Sequence, residues 1–150
     1  MLERSRVPLS KQEKIAWLGF SLSAMGFAYL VVRLWGGDAV LSGVDSETAR
    51  MVPRVMAVFL VGMYFIKRHD ASPLADERDR DIQAKRTTAA FGALVLMLVV
   101  VATTMGLDAY AEFWRSRSTE WLECGVMAML LGTMAVHTAS GLFMYGKDRR

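Results

Sequence analysis

One cysteine, Cys124, stands in 150 residues. A lone thiol excludes an intrachain disulfide and any metal site built from clustered cysteines. Histidines number two, His69 and His137. The chain lacks a G-x-S-x-G elbow, an H-E-x-x-H helix and a phosphate-binding glycine loop. No carboxylate lies deep inside an apolar run, so the acids that a proton-coupled exporter needs at depth are missing. Long linkers, low-complexity tracts and residue-level repeats are absent too. These gaps direct the reading away from an enzyme and away from a cofactor.

What the chain has is segregation. Apolar residues make up 53% and charged residues 22%, with a mean hydropathy of +0.27. The charges sit in blocks between long uncharged runs. Ile15–Val32 is free of charged side chains for 18 residues, Thr87–Leu107 for 21 and Cys124–Gly146 for 23. Crossing a hydrocarbon core takes about 20 apolar helical residues. A weaker run follows Met51, where Pro53 and Arg54 interrupt and only 12 uncharged residues follow from Val55. With Ser46 as N-cap, this segment reads as a further span in which Pro53 costs one backbone bond and Arg54 reaches the interface. The fold expected is therefore an all-α integral membrane protein. Its four transmembrane helices cover about 15–35, 47–67, 87–107 and 124–146, in one domain of residues 1–150, with an inner loop at 67–86.

The basic start, through Lys14, precedes an apolar run too long for a signal peptide, and it reads as a retained anchor. Lysine and arginine set the orientation. Residues 1–14, 67–86 and the tail hold 13 of them, and the opposite flanks hold five: Arg33, Arg50, Arg54, Arg115 and Arg117. Both termini and the 67–86 segment are expected in the cytoplasm. The net charge of +3 is then a topology signal and not a nucleic-acid footprint. Tyr110, Phe113, Trp114 and Trp121 suit an interfacial aromatic belt around a short surface helix.

Small residues recur at steps of three and four. Ala16, Gly19, Ser23 and Gly26 form one stripe; Gly125, Ala128, Gly132, Ala135 and Ala139 form another. Such stripes let helix backbones approach closely, which is what drives association in lipid. A compact bundle follows, with its first and fourth spans in close contact, as does a homo-oligomer if the stripes meet a second copy. Cys124 reads as a small packing residue.

The densest charge cluster, Asp76, Glu77, Arg78, Asp79, Arg80 and Asp81, directly precedes the third apolar run. Ser72 and Pro73 suit a helix start, acids crowd the first turns, and Asp76–Arg80 and Asp81–Lys85 are i,i+4 pairs. One long helix is expected to carry both the charges and the span, extending into the cytoplasm. The plain reading is a solvated, self-paired helix start. The functional reading makes Asp76, Glu77, Arg78, Asp79, Arg80 and Ile82 a docking surface for a cytoplasmic or membrane partner. Asp76-Glu77-Arg78, with Ile82 close behind, resembles the D-E-R signature of a family of small bacterial and archaeal four-span membrane proteins of unknown function. In that family the signature lies in the cytoplasmic loop before the third span. The resemblance implies a bacterial inner-membrane location and favours a regulatory role, without implying an activity.

His137 is the one ionisable residue deep in a span. It shares a face with Met134 and Met144. Thioether and imidazole ligands suit Cu(I), or haem between two copies. Against this, a neutral histidine bonded within a helix contact explains the same pattern, and no second histidine lies in a span. The leading expectation is a non-enzymatic regulatory or accessory membrane protein acting through protein contacts. The alternative is a small dimeric transporter or a metal- or haem-binding protein using the His137 face.

Overall fold

The computed structural model describes residues 9–36, 47–70 and 77–147, and the side chains of 47–52 lie outside that description. Asp76, Ser72, Pro73 and the N-cap assigned to Ser46 also lie outside it. Every regular element among the described residues is α-helical: α1 (Lys11–Trp35), α2 (Glu47–His69), α3 (Glu77–Gly106), α4 (Asp108–Arg115) and α5 (Thr119–Lys147). Three of them, α1, α3 and α5, are long and apolar enough to cross a membrane. The 23-residue α2 is not among the three. Pro53 and Arg54 lie within it, and Lys67 closes its uncharged stretch after 12 residues.

Local chemistry sets the helix ends. The Ser10 Oγ accepts from the Glu13 N–H at 3.2 Å, satisfying one of the donors left open in a first turn. Gly36 closes α1 by donating to the Val32 carbonyl at 3.1 Å. Leu107, extended at φ −93° and ψ 127°, separates α3 from α4. The Trp121 N–H donates to Ser118 Oγ at 3.2 Å, capping α5.

The helix α5 is the hub. It lies against α1 along most of its length and against α3 on another side, while α2 packs on α1. Gly19 of α1 faces Thr138, and Gly132 faces Phe27, so α1 and α5 run antiparallel. On α1 the buried positions include Ala16, Gly19, Ser23, Gly26 and Leu30, a seam with alternating steps of three and four. On α5 they include Cys124, Ala128, Leu131, Thr138 and Tyr145, a seam of the same period, with Gly132 and Gly141 beside it. A helical turn of 3.6 residues brings each set onto one face.

Close approach is measurable at the glycines. A Cβ on Gly19 would sit 2.9 Å from Thr138 Cγ2 and 3.2 Å from the Phe59 ring; one on Gly132 would sit 3.1 Å from the Phe27 ring. On α2, a Cβ at Gly62 would meet Leu18 Cδ2 at 2.5 Å. Gly125 shares the sequence stripe but not the contact: among the described residues nothing lies within 4 Å of a Cβ there. One residue on from Cys124, it is turned about 100° around the helix axis, off the buried seam. Ala139 is half-buried beside the seam.

Hydroxyls in the seam are satisfied within their own helices. Ser23 donates to the Gly19 carbonyl at 2.6 Å and Thr138 to the Met134 carbonyl at 2.9 Å. Leu30, Cys124, Ala128 and Leu131 form the core towards the Trp121 end, with Leu34, Val55, Trp121 and Met127 packed around it. At the opposite, Lys14 end, the Lys14 ammonium pairs with Asp70 at 2.8 Å and ties α1 to the end of α2. Large apolar side chains point outward from α3, among them Phe91, Leu96 and Val99, as a lipid-facing surface requires.

Candidate functional site

Two polar features stand at opposite ends of the α3–α4–α5 unit. The first is at the Lys14 end, where α3 begins. Asp79, Ile82, Arg86 and Ala90 are spaced by three, four and four and fall on one face of α3. Ile82, Arg86 and Ala90 are buried and Asp79 is half-buried. This face meets the last two turns of α5. The Tyr145 hydroxyl donates to Asp79 Oδ1 at 2.7 Å, and the Arg78 guanidinium carbon lies 6.0 Å from the Tyr145 ring centre.

Arg86 lies deeper along the same face, only 9% exposed. Its side chain passes over Gly141, where a Cβ would meet Arg86 Cδ at 3.3 Å. The glycine leaves room for the guanidinium stem. Burial lowers the Arg86 pKa, while the Tyr145 hydroxyl and the Asp79 carboxylate act in the opposite direction. The guanidinium stays cationic at neutral pH. Its Nε is buried and has no hydrogen-bond partner.

The sequence-derived docking residues divide here. Asp79 and Ile82 are turned into the fold. Glu77, Arg78 and Arg80 are exposed, and beside them Lys85 pairs with Asp81 at 2.6 Å. Asp76 lies outside the described residues. The 79–82–86–90 spacing marks one helical face in the sequence, and the contact with α5 makes that face the buried one. Arg86, outside the set drawn from the sequence, is part of the α3–α5 contact.

Met134, His137 and Met144 sit half-buried on α5. His137 shares its line of the helix with Gly141 and Tyr145 at steps of four, and Arg86 passes over Gly141 on that line. Among the described residues no group of three His, Cys, Asp or Glu side chains comes together to hold a metal ion.

The second feature is at the Trp121 end. Phe113 and Trp114 of α4 and Trp121 of α5 meet edge to face, with ring centres 5.4, 5.7 and 6.0 Å apart. Arg117, on the turn between α4 and α5, lays its guanidinium 4.3 Å from the Phe113 centre and 5.3 Å from Trp121. Three N–H groups in this cluster, Arg117 Nε, Trp114 Nε1 and Trp121 Nε1, are buried without an acceptor among the described residues. Each such donor costs about 1–3 kcal/mol when left unmet.

No protein-family model, curated protein or solved structure matches the chain.

Proposed function

We propose that this is a non-enzymatic regulatory or accessory protein of a bacterial inner membrane, acting through contacts made by the start of α3. In this reading the chain crosses four times, α2 being the remaining span, and both termini and the 67–86 segment face the cytoplasm. The excess of 13 basic residues over five supports that orientation. The apolar side chains Met56, Val58, Leu60 and Val61, exposed along α2, support its place in lipid.

The observation that carries the proposal is the division of the charged segment into two faces. One face, Asp79–Ile82–Arg86, holds α3 to α5. The other presents Glu77, Arg80 and the Asp81–Lys85 pair outward. Exposed i,i+4 pairs contribute only about 0.3–0.5 kcal/mol to a fold. Stability therefore gives little reason for so dense an outward charge pattern, whereas a partner with complementary charges does. The partner is a cytoplasmic or membrane protein, or a second copy of this chain.

The test is a pull-down from membranes with the parent and with the Glu77→Gln, Arg80→Gln double variant, at matched expression. A stoichiometric partner should come down with the parent and be lost with the variant, while circular dichroism stays unchanged. Identical pull-downs would leave the segment a solvated helix start.

A further inference from the structure

We infer that the ring cluster around Arg117 is a binding site for a phosphate group, carried by a phospholipid headgroup or by a soluble phosphate compound. The inference is independent of the docking face at the other end of α3.

Four observations converge on it. The Arg117 guanidinium lies against both Phe113 and Trp121, which limits the directions its planar fork of donors can take. Among the described residues its charge meets no carboxylate. Asp108, Glu112, Glu120 and Glu123 lie nearby in the sequence, yet none forms an ion pair with it among the described residues. The Arg117 Nε and the indole N–H groups of Trp114 and Trp121 are three buried donors in one cluster with no acceptor among the described residues. Finally, α4 and its turn lie between the end of α3 and the start of α5. If those two helices cross a bilayer, the cluster sits at headgroup level, where tryptophan and arginine are at home.

The donor set selects the ligand. A cation is excluded by Arg117 itself. A carboxylate offers two oxygens, whereas a phosphate offers more acceptors around one centre and a geometry that suits the guanidinium fork. Because the three donors are buried in the free protein, the ligand must displace side chains of the cluster to reach them.

The experiment uses the full chain in a maltoside detergent, which carries no phosphate. Dihexanoyl phosphatidylglycerol is titrated calorimetrically, with dihexanoylglycerol as the phosphate-free arm and inorganic phosphate as a competitor. The phospholipid should bind and the phosphate-free lipid should not. Arg117→Gln should weaken binding by about 10-fold or more, the loss of a charge-assisted bond. Trp114→Phe and Trp121→Phe keep the ring packing and remove one donor each, and each should weaken binding by about 3- to 10-fold. Arg115→Gln, the same charge change at an exposed neighbour, should leave affinity nearly unchanged. Displacement of the lipid by inorganic phosphate would support a soluble ligand; failure to displace it would support the lipid headgroup. Equal binding of the phosphate-free lipid overturns the site, as does equal loss from Arg115→Gln and Arg117→Gln. Should Arg117→Gln fail to fold, unchanged affinity in both Trp→Phe variants overturns it as well.

Discussion

The Tyr145 hydroxyl and the Asp79 carboxylate meet at 2.7 Å across 66 residues of sequence. This bond joins the last turns of α5 to the charged start of α3. It takes one acid of a dense cluster out of solvent-facing duty and gives it to the fold.

Tyr145→Phe should therefore destabilise the α3–α5 contact by about 1–2 kcal/mol, the range for a hydrogen bond to a charged acceptor that water partly replaces. The measurement is a double-mutant cycle with Asp79→Asn, read by denaturant unfolding in mixed micelles. A coupling energy below about 0.5 kcal/mol, within the scatter of independent sites, would show that the bond adds nothing.

Glycines in the second half of the chain should separate by contact and not by spacing. Gly132→Leu pushes into Phe27 and Met97 and should cost about 1–3 kcal/mol or more by overpacking. Gly125→Leu meets open space and removes a flexible residue from a helix, so it should be neutral or stabilising by up to about 1 kcal/mol. Equal melting temperatures for the two variants in detergent would contradict the seam described above.

Arg86 should resist conservative replacement. Arg86→Lys keeps a cation but loses the planar group that fits over Gly141. We expect lower thermal stability than the parent, and a further drop for Arg86→Ala, which also loses the packing of the stem. Wild-type stability of Arg86→Ala would show that the buried guanidinium contributes nothing to the α3–α5 contact.

Orientation is open to cysteine labelling in a Cys124→Ala background. A thiol at Ser118 should react with an impermeant reagent in intact cells, and a thiol at Ser72 only after permeabilisation. The reverse pattern would place the 67–86 segment outside and remove a cytoplasmic partner from consideration.

Much of the architecture can be read from the chain without its coordinates. Uncharged runs of 18, 21 and 23 residues permit little but long helices, and α1 and α5 contain theirs while α3 holds all of its run but Leu107. The stripe Ala16–Gly19–Ser23–Gly26 repeats at helical steps, and those positions are buried. The break after Gly106 and the short α4 follow from the shift to mixed polar and aromatic residues at Asp108–Arg115. The stripe on α5 was legible only in part. Gly125 and Gly132 look alike in sequence, yet they differ in contact because the seam also recruits Cys124, Leu131, Thr138 and Tyr145.

Sequence by itself determined the helical class and the small-residue faces, because period, propensity and hydropathy act within a few turns of chain. Only the tertiary structure decided which charges belong to the fold. Periodicity places Asp79, Ile82 and Arg86 on one face of α3, but the rotation and depth at which that face meets α5 depend on a helix more than fifty residues away. That meeting puts Tyr145 on Asp79 and leaves Arg86 over Gly141. The same meeting turns Glu77 and Arg80 outward. Whether a charged residue is buried or exposed is thus set by long-range packing, which local sequence pattern does not encode.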